Sequence, residues 1–262
     1  MRFRYRRTMS PSILSVVLVF ATSAAALAAE ASPEDEAKRQ AGVAAAMGPT
    51  ERSEQDKARD ADEKPQAIAE FAALKQGLTI ADIHAGDGYV TEVLMGSVTP
   101  YGKVYANNDP ALLSAAEAQA WEKRLESPDT ADLVQLEKPL SQPLPYYAKA
   151  LHAVFSIGAY HHTVSRGIDR RALHQTIFDS LTPGAVYIVV DARAGKAADD
   201  AKAAASCRTR PELVREEVEA VGFRFVAESD ALEIAGDGRT SDACSRKVLP
   251  DRFMLKFERP AS

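Results

Sequence analysis

The sequence predicts an α/β protein built on a mostly parallel β-sheet, and three observations support this. Short apolar segments alternate with helical segments of about 10–15 residues, the pattern of right-handed βαβ units. A glycine-rich turn joins the first apolar segment to a helix. No helical segment separates the last two apolar segments, so we expect them to form an antiparallel hairpin at the edge of the sheet.

The individual elements follow from periodicity and from helix start and stop signals. A first helix is predicted over 65–75 and ends at Gly77. Asp109 and Pro110 have the residue types of an N-cap and a first helical position, which predicts that a helix begins there. An Ala/Asp/Lys-rich loop is expected after residue 191. Strands are predicted over 78–83, 103–107, 132–136, 151–157, 185–191, 223–228 and 252–257, and further helices over 89–98, 111–126, 169–181 and 211–221.

The amino terminus has the three-part layout of a secretory signal peptide. A basic start precedes an apolar run over 13–20 and a small-residue stretch over 21–29, with Ala26-Leu27-Ala28 as the cleavage motif. We therefore predict a signal peptide over 1–28 and a periplasmic or secreted mature chain; an uncleaved signal anchor is the alternative. No second hydrophobic run follows, so no membrane span is expected after cleavage.

The next segment is poor in large apolar residues. Residues 29–62 are rich in Ala, Glu, Asp, Lys and Arg, and such a composition buries little surface. We predict a flexible or loosely helical lead-in over 29–62 and a single α/β domain over 63–262.

Charge and cysteine content limit the classes of function. The chain has 32 Lys+Arg against 37 Asp+Glu, and a chain this acidic is not expected to bind nucleic acid through charge. Cys207 and Cys244 are the two cysteines. In an oxidising compartment they could form a disulfide, and two unpaired thiols are the alternative. Their spacing does not indicate a metal site, and none is expected.

The glycine-rich turn is the motif that carries chemistry. It reads Asp82-Ile83-His84-Ala85-Gly86-Asp87-Gly88-Tyr89 and lies between the first strand and a helix. In a doubly wound sheet, ligands bind beyond the carboxyl ends of such strands, and glycines let the backbone approach them. Gly86 and Gly88 could equally serve the turn alone.

With this turn the chain resembles the class I, Rossmann-like S-adenosylmethionine-dependent methyltransferases, and especially an exported bacterial branch of predicted methyltransferases. The likeness covers roughly residues 60–258. It rests on the segments 75–82, 102–106, 181–187, 219–223 and 251–257. The resemblance implies a doubly wound seven-stranded sheet of order 3-2-1-4-5-7-6, with the last strand antiparallel and helices on both faces. It also implies S-adenosylmethionine as the cofactor.

The resemblance further implies a set of cofactor contacts. Asp82, Gly86 and Gly88 would line the methionine end of the cofactor, and Asn107 and Asn108 would meet the ribose hydroxyls. Many relatives have an acid at that strand end, and an asparagine oxygen can replace one of its two acceptor contacts. Asp82 could instead only bind the turn.

Four aromatic or imidazole side chains complete the predicted site. His161 and His162, at the end of the fourth strand, are the candidate catalytic bases, since imidazole titrates near neutrality; polar strand-end residues are the alternative. Tyr89 is placed to stack on the ligand or simply to pack. His84 stands where the first glycine of the family motif is expected.

These expectations define a function and its rivals. The first is an exported S-adenosylmethionine-dependent methyltransferase whose acceptor, a small molecule or a peptide, the sequence does not name. The second is a periplasmic binding protein that keeps the fold and has lost the reaction, which the change at His84 favours. A dinucleotide oxidoreductase is disfavoured, because Gly-x-Gly-x-x-Gly is absent and no acid ends the second strand.

Overall fold

The computed structural model describes residues 52–127, 132–245 and 248–261, together with Ala37. The predicted signal peptide and, apart from Ala37, the lead-in up to residue 51 lie outside the described residues. The strands are β1 Thr79–Asp82, β2 Lys103–Asn107, β3 Leu133–Leu136, β4 Leu151–Ile157, β5 Leu181–Ala192, β6 Arg224–Ser229 and β7 Arg252–Glu258. The helices are α1 Glu54–Glu63, α2 Pro65–Phe71, α3 Tyr89–Val98, α4 Ala115–Leu125, α5 Tyr160–Ser165, α6 Arg170–Ser180, α7 Asp200–Ala205 and α8 Pro211–Glu219.

The strands form one seven-stranded sheet of order β3-β2-β1-β4-β5-β7-β6, which confirms the predicted fold class. β1 pairs in parallel with β2 and β4, so the strand before the glycine turn lies near the centre. β7 is antiparallel to both β5 and β6, as the missing helix between the last two strands predicts. Alternate residues of β5 face different cores: Tyr187 and Val189 join one apolar cluster, and Ile188 and Val190 join the other.

Two predicted helix boundaries need correction. The helix predicted from 111 begins at Ala115, where Ser114 and Glu117 form a reciprocal capping box. The carboxylate of Asp109 instead accepts hydrogen bonds from the backbone of Ala111 and Leu140, so it holds a loop. The helix predicted over 65–75 is α2, and it ends at Phe71, short of residue 75.

Two short helices, α5 and α7, occupy segments that the sequence assigns to a strand end and a loop. Each has six residues, too few for apolar periodicity to show. Tyr160, the first residue of α5, fixes this helix to the domain. Its hydroxyl donates to Glu217 and lies 3.1 Å from Nε2 of the buried His174.

The last part of the predicted lead-in is a regular helix. Ser53 caps α1 by accepting a hydrogen bond from the backbone of Asp56, and the helix runs to Glu63. α1 has no large apolar residue, and its buried contacts are made by charged side chains such as Asp56. None of the helices in the described part of the chain is long and apolar enough to cross a membrane.

Candidate functional site

A pocket of about 310 Å³ lies at the carboxyl ends of β1, β4 and β5. This is the edge at which doubly wound sheets bind their ligands, and the volume is at the lower end of the range for small-molecule sites. The glycine turn, α1, α5, residues 243–244 and residues 249–252 contribute to its walls. Six of the nine predicted site residues line it: Asp82, His84, Gly86, Tyr89, His161 and His162.

The two turn glycines have different roles. Gly86 has a φ of +59°, and a Cβ added there would meet no atom within 4 Å, so its backbone borders open space in the pocket. Gly88 has a φ of +78°, and a Cβ there would lie 2.7 Å from Trp121 and 2.8 Å from Arg124. Gly88 is therefore required by the packing of α4 onto the turn, and Gly86 is the glycine available to a ligand.

Asp82 anchors the turn from beneath. Its carboxylate accepts hydrogen bonds from the hydroxyl of Thr91 at 2.7 Å and from the backbone of His84 at 3.2 Å. Burial raises the pKa of Asp82 to about 6, because these two donors only partly offset the loss of solvation. Asp82 thus binds the turn while it also lines the pocket.

Asn107 and Asn108 direct their amides onto the protein. The Asn107 amide group donates to the carbonyls of Ile83 and Lys138, and its oxygen accepts from the backbone of Lys138. Asn108 makes two hydrogen bonds with the backbone of Gly86. Both side chains are buried, so the structure gives them a role in holding the glycine turn and the ends of β1 and β3.

α1 forms one wall of the pocket through charged contacts. Arg59 donates to Asp87 at 2.7 Å and to Glu63 at 2.9 Å, and its guanidinium lies 3.8 Å from the centroid of the Tyr89 ring. The Tyr89 hydroxyl donates to Asp60 at 2.8 Å. Burial acts to raise the pKa of Asp87, but the charge of Arg59 outweighs it and holds that pKa below its usual value.

A second set of charges fixes α1 further from the pocket. Arg124 donates to Glu92 at 2.6 Å, to Asp56 at 3.1 Å and to the carbonyl of Asp87 at 3.0 Å. Arg52, 5% exposed, makes two hydrogen bonds with Asp60. The two arginines therefore join α1 to α3, α4 and the glycine turn.

His161 and Asp191 form the principal acid–base pair of the pocket. Nδ1 of His161 lies 3.0 Å from Oδ1 of Asp191, and the backbone N–H of His161 donates to Oδ2 at 2.8 Å. Asp191 also accepts from the Thr209 hydroxyl and from the backbone of Ala192. Burial acts to raise the pKa of Asp191, but the charge and hydrogen bonds of His161 keep it below its ordinary value. Because the carboxylate engages Nδ1, Nε2 is the nitrogen of His161 that can exchange a proton with a ligand.

Two further imidazoles lie beside this pair. The ring of His162 is 4.1 Å from that of His161 and 5.6 Å from that of His84, centroid to centroid. Burial, with the neighbouring charges of His161 and His84, lowers the pKa of His162 to about 3, so this ring stays neutral at physiological pH. Within the described ranges, no group of three or more His, Cys, Asp or Glu side chains could hold a metal ion.

Comparisons with known proteins identify the architecture. No family model matches the sequence, and no curated protein matches it. A SAM-dependent methyltransferase from Aquifex aeolicus has a TM-score of 0.56 at 14% identity, over 76% of this chain and 92% of that one. The 4+2 cyclase SpnF has a TM-score of 0.54 at 14% identity, over 77% and 82%. A candidate exported protein from Bordetella parapertussis has a TM-score of 0.51 at 11% identity, over 78% and 68%.

The chain has the class I methyltransferase fold. In this methyltransferase fold, the turn after β1 and the segment after β4 both line the pocket, and they carry His84 and His161. The sequence reasoning missed Asp191, Arg59, Glu63 and several residues of the carboxyl-terminal segment. Only the position of Asp191 at the end of a strong strand could have indicated a place at the site.

A disulfide closes one side of the methyltransferase-fold pocket. Cys207 and Cys244 are bonded, so of the two alternatives for the cysteines the structure contains the disulfide. Both residues line the pocket with Ala243. The same loop is also held by the buried Arg208, which makes two hydrogen bonds with Asp237 and donates to the carbonyl of residue 241.

Proposed function

We propose that the chain is an S-adenosylmethionine-dependent methyltransferase in which His161 is the general base. The observation that carries this proposal is a single pocket that brings the open glycine Gly86 and the His161–Asp191 pair together in a methyltransferase fold. A cofactor cradle and a base oriented by a carboxylate are the two parts that a methyl transfer to a protonated nucleophile requires.

The residues of the pocket fit the cofactor. Gly86 leaves an open cradle in which any side chain would intrude, and the Asp82 carboxylate lies at the base of the same turn. Gly86, Asp82 and His84 would hold S-adenosylmethionine, with Tyr89 and Arg59 behind the turn. When bound, this cofactor supplies a methyl group on a positively charged sulfur.

The protein's own groups manage the proton and the water. Asp191 accepts from Nδ1 of His161, which orients the ring and stabilises the imidazolium that forms when Nε2 takes a proton. His162 stays neutral and adds no charge beside the base. α1 and the loop that ends at the disulfide cover two sides of the pocket, so they limit the access of water.

The decisive test is a calorimetric titration of the chain from Ala29 with S-adenosylmethionine. We expect binding, and we expect Gly86→Ala to weaken it by about tenfold or more, since the new methyl group enters the cradle. Gly167→Ala is the matched control, because Gly167 has a φ of +61°, open space around it and no place in the pocket. A folded sample that does not bind millimolar ligand would refute the methyltransferase proposal.

We also propose that the protein is exported. The amino-terminal pattern, the Cys207–Cys244 disulfide and the likeness to a candidate exported protein support this. Sequencing the amino terminus of the protein recovered from the cell envelope tests it. A mature start at Ala29 is expected, and a chain recovered intact from the cytoplasm would contradict export.

The second candidate function is a protein that keeps the fold without methyl transfer. His84 at a motif glycine position favours it, and the likeness to SpnF supports it because that protein is a cyclase. A His84→Gly variant that gains S-adenosylmethionine affinity over a parent that binds none would favour this degenerate site. Parent binding that His84→Gly does not improve would favour the enzyme.

A further inference from the structure

The pocket has a strongly unequal balance of charge. Seven charged side chains other than histidine line it, two of them cationic and five acidic: Arg59, Arg252, Glu63, Asp82, Asp87, Glu117 and Asp191. With the imidazoles neutral, the lining therefore carries a net charge of −3, and protonation of His161 leaves −2. Low-dielectric walls concentrate such a field within a pocket.

Both cations are already included in this sum, and each is paired with an acid of the same pocket. Arg59 is bound to Asp87 and Glu63 and lies over the Tyr89 ring. Arg252 donates to the carbonyl of Glu63 and lies 3.9 Å from its carboxylate. The acids in excess of this pairing repel an anionic reacting group and attract a cationic one.

We propose that the acceptor is an amine, which enters the pocket as an ammonium ion and is deprotonated by His161. This inference rests on the proposed methyltransferase function and names its substrate class. In the deprotonation the N–H bond breaks, its electron pair stays on the nitrogen, and the proton bonds to Nε2 of His161. Asp191 holds the imidazolium that results. The nucleophile produced is a neutral amine.

The alternative acceptors conflict with the same field. A hydroxyl must approach an alkoxide or phenolate before it attacks, and a carboxylate is already an anion, so both place negative charge where the acids oppose it. The apolar lining suits the carbon body of an amine: Ile157, Val190, Leu249 and Pro250 contribute to the walls. The pocket therefore constrains the charge of the reacting group more strongly than it constrains the shape of the acceptor's carbon body.

Three probes of one shape test the inference: benzylamine, benzyl alcohol and benzoate, titrated by calorimetry into the disulfide-bonded chain from Ala29 without donor. We expect benzylamine to bind about tenfold more tightly than benzyl alcohol, and benzoate to bind most weakly. Equal affinities, a reversed order, or no binding of benzylamine at millimolar concentration would overturn the inference.

A pair of variants locates the effect in the pocket. Glu117→Gln removes one pocket charge and keeps the capping box, because glutamine can make the same reciprocal bond. We expect it to weaken benzylamine by about threefold and to leave benzyl alcohol unchanged. Glu122→Gln removes the same charge from the exposed face of the same helix and should change neither affinity. Equal effects of the two variants would overturn the inference.

The two proposals fail separately in these experiments. If the protein binds S-adenosylmethionine but does not prefer benzylamine, the methyltransferase proposal stands and the proposal of an amine acceptor is wrong. If the protein prefers benzylamine but does not bind S-adenosylmethionine, the methyltransferase proposal is wrong and the pocket is a binding site for cations.

Discussion

Alanine at Gly88 should destabilise the protein far more than alanine at Gly86, two residues earlier. Both glycines have a left-handed backbone, with φ of +78° and +59°. A Cβ at Gly88 would lie 2.7 Å from Cε3 of Trp121 and 2.8 Å from Cδ of Arg124, whereas a Cβ at Gly86 meets nothing within 4 Å. Only the change at Gly88 therefore forces neighbouring side chains to move.

The magnitudes follow from these two contributions. A left-handed backbone costs a residue with a Cβ about 1–2 kcal/mol, and this applies to both positions. Overpacking adds about 1–3 kcal/mol, and this applies to Gly88 alone. Neither neighbour can move freely, since Trp121 is buried and Arg124 holds Glu92 and Asp56. We expect a loss of about 1–2 kcal/mol for Gly86→Ala and about 2–5 kcal/mol for Gly88→Ala.

Urea denaturation followed by circular dichroism measures these free energies. Gly167→Ala is the control for the backbone contribution, and it should match Gly86→Ala, because the two glycines share a φ near +60° and open surroundings. If Gly88→Ala were within about 0.5 kcal/mol of Gly86→Ala, the packing role of Gly88 would be wrong.

Three further predictions concern buried charge and the disulfide. The pKa of Asp82 is raised by burial to about 6, so the folded state binds its proton more tightly than the unfolded state. The stability of the parent relative to Asp82→Asn should therefore fall by about 3 kcal/mol as the pH rises from about 3 to 7, with about 2 kcal/mol of that loss between pH 4 and 6, measured by urea denaturation. Arg124→Gln should cost about 1–3 kcal/mol and speed amide exchange in α1, because it removes the closer cationic partner of two partly buried acids, Asp56 and Glu92. Arg215→Gln, which breaks an exposed pair, should cost less than about 0.5 kcal/mol. Replacing Cys207 and Cys244 together by serine should lower the free energy of unfolding by about 4 kcal/mol, since the bond spans a separation of 37 residues.

Each of these has a definite contrary result. A difference between the parent and Asp82→Asn that stays constant over the pH range would mean that Asp82 has an ordinary pKa in the folded state. If Arg124→Gln and Arg215→Gln lowered the free energy of unfolding equally, the interpretation that Arg124 holds α1 through its charge would be wrong. A serine double variant as stable as the parent would show that Arg208 and its partners hold the loop without the disulfide.

The sheet could be predicted because its strands carry their own pattern. β4 and β2 have the predicted bounds, since both are short apolar strands with a clear turn before them. The hairpin of β6 and β7 followed from the absence of a helix. α5 and α7 were missed because a six-residue helix shows less than two turns of periodicity.

The site was less accessible to sequence reasoning, since its contacts are made between distant segments. Topology alone brings the turn after β1 and the end of β4 together, so His84 and His161 could be predicted as neighbours. The partner of His161 is Asp191, 30 residues away, and no local signal joins them. Asn107 illustrates the converse, because its amide partners are main-chain groups that only the fold brings near.

α1 shows how a segment of this charged composition can be held in place. Composition measures what a segment can bury by itself, and this segment has almost no apolar surface. Its stability comes instead from Arg124 and Tyr89, which lie in the domain, through Asp56 and Asp60. A charged segment can therefore be an integral wall when its partners lie elsewhere in the chain.

Oxidation of the two cysteine thiols changes a wall of the pocket. Cys207 and Cys244 are wall residues as well as a covalent bridge, so this wall of the pocket is covalently closed only when the two sulfurs have been oxidised. We expect a chain that still carries two thiols to have a less rigid wall on this side of the pocket. A preparation that contains reduced chains should therefore contain two forms of the pocket. Its titration with a ligand should show two affinities rather than one weaker affinity.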